Sequence, residues 1–285
     1  MAEFSSCTRA TSEATGVRAS FQYMRPQAER PYCLMYPPPD GVEQQNCVFE
    51  FVEMHVTNAR SRTFLPSLDF EGFELHDAPT TVDDMLDEAA VRATYYPEVV
   101  ELALLATGGE AAVVFDHQVR RREEDRRTLT YGRHGLSLVG PAGRVHNDYT
   151  EESGRRRLEL VLGDRLSEAD DRRFCIVNVW RPIHHPVVDT PLGLCDARSV
   201  HRQDLVATEL RYPDRTGEIY QLVHRPEHRW AFFDRMTPDE AIVFKQYDSA
   251  LNVARFTPHS AFELPDVPDG APLRTSIEAR VLVLF

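Results

Sequence analysis

Basic residues are the minority in this 285-residue chain: 32 Lys and Arg stand against 45 Asp and Glu, for a formal net charge of −13. Contacts to a phosphate backbone draw on a basic surface, so this balance argues against a nucleic-acid partner. The stretch RRREEDRRT mixes both signs, as a solvated face does. Cysteine is scarce too. Cys7, Cys33, Cys47, Cys175 and Cys195 are odd in number, form no C-x-x-C and show no metal-finger spacing. No signal peptide precedes them, and the expected compartment is the reducing cytoplasm. No apolar run approaches the roughly 20 residues that span a bilayer, which excludes a helical membrane span. Also missing are a G-x-S-x-G nucleophile signature, a Gly-rich phosphate loop, a dinucleotide fingerprint, internal repeats and low-complexity linkers.

What is present is a chain that changes character along its length. Residues 1–17 are small and polar and read as a flexible terminus, ahead of a single domain over 18–285. The segment YCLMYPPPDGVEQQN reads as turn material, because its three prolines cannot donate to a ladder. CVFEFVEMHVTNAR alternates and is rich in Val and Phe, as a strand is. TTVDDMLDEAAVRATYY opens with a Thr cap and early acids; YPEVVELALLATGG has Pro in its first turn and Gly at its end, so both read as helix. Its apolar run EVVELALLA could serve a homodimer as well as a core. AAVVFDHQVRR returns to strand, and EESGRRRLELVLGDRLSEADDRR reads as helical or irregular. From Arg173 onward come short strand-like runs: RFCIVNVWRPI, GEIYQLVHRP, HRWAFFDRM, DEAIVFKQYDS, ARFTPHSAFEL and RTSIEARVLVLF. Regular spacing of this kind predicts a sandwich or barrel, with an α/β extension over 18–110 and a β core over 111–285.

Eleven histidines occur, and only His146 has an Asp two positions on, in GPAGRVHNDYTEESG. In an extended segment a period of two places His146 and Asp148 on one face, where both can ligate one cation. A third ligand must come from elsewhere, and His259 in ARFTPHSAFELP is the strongest candidate. Two His and one carboxylate leave three positions open on a metal, which suits non-heme Fe(II) and oxygen. A keto acid chelated there needs a cation and a hydroxyl for its far carboxylate. Arg274 and Ser276 share one strand face in RTS and supply a forked guanidinium and a further donor.

This ordered set, H-x-D, distal His and R-x-S, resembles the Fe(II)/2-oxoglutarate-dependent oxygenases. More narrowly, NVWRPI, PVVDTPLGLCDARSV, FDS where this chain has YDS, TPHSAF and RTSIEAR are similar to the CmcJ/AsaB-type hydroxylase/desaturase family. The likeness covers residues 47–285, most densely 112–285. It implies a mainly β fold with flanking helices around a double-stranded β-helix, or jelly-roll, core of the cupin-like kind. It also implies Fe(II) on His146, Asp148 and His259, 2-oxoglutarate on Arg274 and Ser276, and O2 as co-substrate. The activity implied is hydroxylation, desaturation or cyclisation of a small secondary metabolite by C–H abstraction. One departure is visible: the spacing from His259 to Arg274 exceeds that common in the wider superfamily, which leaves Arg280, on the same strand face, as an alternative anchor. A 2-oxoglutarate-independent mononuclear iron dioxygenase and a silent jelly-roll that only binds a metabolite are the rival readings.

Further residues are weighed around this set. Trp180 and Arg181 end an apolar strand; they read as pocket-mouth contacts to substrate and cosubstrate, against a core Trp beside a snorkelling Arg. Asn178 shares the Trp180 face and either meets a ligand or pins a neighbouring strand. Cys195 and Ser199 read as structural, Asp196 as a partner for a nearby Arg, and His184 and His185 as loop residues. His117 and His134 are weaker candidates for contacts near the substrate.

Overall fold

Strand alternation decides which groups face the interior and which face a covering helix. The computed structural model describes residues 16–61, 66–123, 140–169 and 171–285. The terminus expected to be flexible falls, up to residue 15, outside the described residues, as do Cys7, His134 and most of RRREEDRRT; Gly16 and Val17 already belong to the first strand.

Fourteen strands occur among the described residues: β1 (Gly16–Met24), β2 (Tyr32–Leu34), β3 (Phe49–Asn58), β4 (Phe73–Asp77), β5 (Ala111–Arg121), β6 (His146–Asn147), β7 (Phe174–Pro182), β8 (Leu192–Cys195), β9 (Leu205–Arg211), β10 (Thr216–Leu222), β11 (Trp230–Phe232), β12 (Glu240–Asp248), β13 (His259–Ala261) and β14 (Thr275–Leu284). They form a nine-stranded sheet in the order β1-β3-β11-β8-β13-β6-β10-β9-β2 and a five-stranded sheet in the order β4-β12-β7-β14-β5. The larger sheet is antiparallel except where β11 meets β3 and β2 meets β9, and the smaller is antiparallel throughout. Strands on either side of residue 110 therefore enter both sheets.

Helices are few: α1 (Glu88–Ala90), which runs through a π turn at Val91–Tyr95 into α2 (Tyr96–Thr107), and α3 (Glu151–Leu162). The helix expected from Thr80 or Thr81 begins instead at Asp87, whose side chain accepts from the Ala89 amide. Thr80 and Thr81 bond forward to the Glu98 carboxylate, 2.6 Å from each hydroxyl, so the threonines clamp the first turn of α2 rather than cap a helix of their own. The segment YCLMYPPPDG also differs from expectation, because Tyr32–Leu34 pairs in parallel with β9 before the prolines begin. Gly108 ends α2 in the left-handed region at φ 71°, where a glycine carries no Cβ penalty.

The core has two sides. On the outer face of the smaller sheet, Val99, Leu102 and Ala103 of α2 pack on Val177, Val179, Ile277, Ala279, Val281 and Val283. Each such aliphatic side chain contributes about 1.5–3 kcal/mol on full burial, so Val99, Leu102 and Ala103 of EVVELALLA are held by the chain's own core while Leu105 stays exposed. The inner face, carrying Asn178 and Trp180 of β7 and Ser276, Glu278 and Arg280 of β14, looks toward the larger sheet. Because β7 is covered on both sides, all of its residues are buried.

One buried charge network fastens this frame. Lys245, at a register shift in β12, meets Asp248 and, at 3.0 Å, Asp69. Arg173 reaches the same Asp248 carboxylate through Nη2 (2.7 Å) and Nε (3.1 Å). Lys245 and Asp248 are buried while Asp69 and Arg173 reach solvent, so Asp248→Asn leaves the buried ammonium with Asp69 alone and should lower unfolding free energy by about 1–3 kcal/mol. Urea unfolding checks this; an unchanged midpoint would rule the network out as a structural fastening.

Candidate active site

The larger sheet supplies a three-ligand cluster. His146 on β6 stands directly opposite His259 on β13, and Asp148 follows two residues after His146. The two imidazole centroids lie 4.4 Å apart, and one ligand atom from each of the three residues falls within 4.8 Å of the others. His146 Nε2 lies 3.5 Å from Asp148 Oδ1. Two ligands of one first-row metal, each bonded at about 2.0–2.2 Å, can be at most about 4.4 Å apart, so this pair is already within chelating distance.

Local bonding aims each ligand. The Arg144 carbonyl lies 2.7 Å from His146 Nδ1, and the Thr257 carbonyl 3.1 Å from His259 Nδ1. A carbonyl only accepts, so both Nδ1 atoms carry a proton, which in the neutral ring leaves the Nε2 lone pair as the one a cation can take. Asn147, pointing the other way from β6, donates to the carbonyls of Tyr149 (2.7 Å) and Gln246 (2.8 Å) and accepts from the Thr257 amide (3.0 Å). The Gln246 side chain receives the Asp148 amide at 2.8 Å. Thr150 then caps α3 in a capping box with Ser153, turning the chain away directly after the ligand pair. Burial pushes the His259 imidazole down to about 3, with the neighbouring His146 adding to the effect, so it stands neutral and ready to ligate.

The smaller sheet faces this cluster with charge. Asp148 Oδ2 accepts from Asn178 Nδ2 at 2.9 Å and from Arg280 Nε at 3.2 Å. Burial opposes the Asp148 charge, but Arg280 and the two imidazoles together hold the carboxyl well below its usual range. Arg280 also meets Asp116 and Glu278, each at 2.9 Å. Further along the same face, Ser276 is buried and its hydroxyl has no hydrogen-bond partner among the described residues. Arg274, just before β14, is buried over the Trp180 ring at 5.5 Å and gives Nη1 to the Thr190 carbonyl at 2.6 Å, while its Nε has no partner. Burial pushes this guanidinium down to about 9 against the pull of Asp189.

Of the residues singled out in the sequence, His146, Asp148, His259, Arg274, Ser276, Arg280, Asn178 and Trp180 converge here. Arg181 does not. Adjacent strand residues point to opposite faces, and Arg181 lies over the Tyr95 ring at 5.0 Å on the helix-covered side. Trp180 is packed among Phe73, Leu194 and Phe244 and floors the Arg274 pocket rather than standing at a mouth. His117 also turns outward, to the Tyr96 hydroxyl (2.8 Å) and Glu88 (3.1 Å). Asp196 pairs with Arg198 and Arg229, Ser199 donates to the Asp196 carbonyl, and the buried Cys195 lies 3.7 Å from that hydroxyl.

Three groups escaped the sequence reading. Gln221 on β10 is paired with His146 and has a buried amide oxygen with no partner among the described residues. Glu278 is buried between Ser276 and Arg280 on their face, and burial raises its pKa. Arg120 on β5 is paired with Ser276, and its charge is felt at His259, Arg274 and Glu278. The alternation R-x-S-x-E-x-R is the signal that could have found Glu278; Gln221 and Arg120 depend on pairing across the sheet.

Two imidazoles and one ionised carboxylate match an iron facial triad, and a buried hydroxyl and guanidinium Nε without partners among the described residues match an acid ligand. The family described as "Oxidoreductase/YMDC permease-like domain" matches residues 21–284. The hydroxylase/desaturase efuI of Hormonema carpetanum is 33% identical over 247 residues, covering 81% of this chain and 82% of that protein. The Fe(II)/2-oxoglutarate-dependent dioxygenase nvfI of Aspergillus novofumigatus is 32% identical over 200 residues, or 69% of this chain and 68% of that one. The solved structure of the iron and alpha-ketoglutarate-dependent endoperoxidase NvfI aligns with a TM-score of 0.83 at 27% identity, over 95% of this chain and 98% of that chain. Its jelly roll is the fold seen here. With about a third of residues identical to these relatives over most of the chain, and the fold shared with NvfI, the chain belongs to the hydroxylase/desaturase family of Fe(II)/2-oxoglutarate-dependent dioxygenases.

Proposed function

We propose that His146, Asp148 and His259 hold Fe(II), that Arg274 and Ser276 receive the far carboxylate of 2-oxoglutarate, and that a small secondary metabolite is oxidised beside them. The observation that carries this reading is the facing arrangement: two Nε2 atoms and one carboxylate on the larger sheet, opposite the unpartnered Ser276 hydroxyl and Arg274 Nε on the smaller. Bound there, iron and 2-oxoglutarate would supply O2 activation coupled to keto-acid decarboxylation, and with it the power to oxidise an unactivated C–H bond.

The protein's own part is binding and orientation. The Arg144 and Thr257 carbonyls fix the imidazole tautomers, and Asn178 and Arg280 hold the Asp148 carboxylate. Trp180 keeps the Arg274 fork in place by its ring face. The formal charge of −13 favours neither a nucleic-acid nor an anionic-membrane partner, and no helix among the described residues is long and apolar enough to cross a membrane. Four described cysteines, Cys33, Cys47, Cys175 and Cys195, are free thiols, in keeping with a reducing cytoplasm.

The test is anaerobic. Fe(II) and 2-oxoglutarate added together to metal-free protein should produce a visible metal-to-keto-acid charge-transfer band. Iron binding without that band would move the chain to 2-oxoglutarate-independent chemistry, and no iron binding would leave the cluster without a metal role.

A further inference from the structure

Arg280 shares its strand face with Arg274 and Ser276, and spacing along β14 alone allows either arginine to anchor the cosubstrate. Their surroundings differ. Each nitrogen of the Arg280 guanidinium is taken by a different carboxylate: Nε by Asp148 (3.2 Å), Nη1 by Asp116 (2.9 Å) and Nη2 by Glu278 (2.9 Å). An incoming acid would have to share every nitrogen of the fork with a carboxylate already in place. Arg274 gives Nη1 to a backbone carbonyl and its Nε has no partner among the described residues, while the neighbouring Asp189 carboxylate accepts from its backbone amide (3.3 Å).

Viewed from Asp148, the same contacts sort its two oxygens. Oδ2 accepts from both Arg280 Nε and Asn178 Nδ2, which uses the about two lone-pair sites an ionised carboxylate oxygen offers. Oδ1 faces the His146 ring nitrogen at 3.5 Å. The two donors stand side by side because Arg280 and Asn178 are a register pair of β14 and β7. Glu278 and Asp116 in turn keep the guanidinium from rotating away. The result is a carboxylate with one oxygen committed to the smaller sheet and one oxygen presented to the metal cluster on the larger.

We propose that Arg280 is a positioning residue: held by Glu278 and Asp116, and assisted by Asn178, it fixes Asp148 so that Oδ1 alone is offered to the metal. This rests on the iron reading above. The role is distinct from cosubstrate binding, and it predicts a split between two affinities. Loss of a group that orients a ligand costs metal affinity; loss of a cosubstrate contact costs keto-acid affinity.

The experiment titrates Co(II), as a spectroscopic stand-in for Fe(II), into metal-free wild type and into Arg280→Gln, Arg280→Lys and Asn178→Ala. Each variant is then titrated with 2-oxoglutarate at saturating metal, and the metal-free melting temperature is recorded for all. Arg280→Gln should weaken Co(II) binding roughly 10- to 100-fold, the cost typical of losing a group that holds a metal ligand. Arg280→Lys, which keeps charge but not the fork, should fall between, and 2-oxoglutarate affinity at saturating metal should match wild type. If Arg280→Gln does not fold, Asn178→Ala decides, because it removes the other donor to the same oxygen. Unchanged Co(II) affinity overturns the proposal, and so does a lower melting temperature as the sole effect. A selective loss of 2-oxoglutarate affinity would overturn it and make Arg280 the cosubstrate anchor. Failure of wild type to bind Co(II) would sink the iron reading itself.

Discussion

His259→Ala is expected to abolish turnover and the anaerobic charge-transfer band together. His259 is one of three ligands, and it reaches the cluster from a strand of only three residues, β13, directly opposite His146. Groups that merely orient a ligand are worth roughly 10- to 100-fold, so removing the ligand itself should cost about a thousandfold or more. The variant should still fold. The imidazole is buried and neutral, and it packs edge-on against Phe244 at 4.9 Å, so the loss is that of a side chain of moderate size in a dry interior. His259→Gln keeps most of that volume without the ring nitrogen and separates the two effects. Both variants should lose the band, while only the alanine form should melt lower. Full activity in either would refute the assignment of His259.

Arg274→Ala is expected to leave metal binding intact and to weaken 2-oxoglutarate binding severely. Truncating one partner of a buried, hydrogen-bonded charge pair costs about 2–5 kcal/mol, or roughly 30- to 4,000-fold in affinity. Arg274→Lys should recover part of this, because an ammonium restores the charge without the fork. The informative comparison is a keto acid without the far carboxylate, such as 2-oxovalerate. Wild type should prefer 2-oxoglutarate strongly, and Arg274→Ala should bind the two alike. If the preference survives the substitution, the carboxylate is read elsewhere, and Arg120, paired with Ser276 across β5 and β14, is the next residue to change.

The chemistry was easier to read than the frame. His146, Asp148, His259, Arg274 and Ser276 could be picked out because metal and acid binding demand particular side chains in a particular order. Strand parity then predicted which of them share a face. The same parity rule separates Trp180 from Arg181, since neighbours on a strand cannot both enter one pocket, and the structure sends Arg181 to Tyr95. It could not separate Arg274 from Arg280, which agree in parity and differ only in the carboxylates that other strands bring near. Asn178 was recognised as a buried amide needing partners, yet its partner proved to be Asp148, 30 positions earlier. The weaving of β1, β3 and β4 into both sheets was hidden for a similar reason: parallel pairing of β3 with β11 joins residues far apart in the chain, and local pattern carries no trace of it. The Thr80 and Thr81 hydroxyls read as a helix cap because capping chemistry and a clamp on Glu98 use the same side chains.

Over Ser276 to Val281, strand β14 alternates between two vocabularies. Ser276, Glu278 and Arg280 serve the site, while Ile277, Ala279 and Val281 serve the helix-covered core. A slip of one residue against β7 and β5 would exchange the two sets, burying a carboxylate and a guanidinium among aliphatic side chains and turning isoleucine and valine toward the iron cluster. A molecule that could not hold iron in this way could not hold itself together either. Site and core are therefore set by one and the same register of β14 against β7. Substrate range, by contrast, is free to drift through the loops at the ends of the strands, where a change costs the fold little.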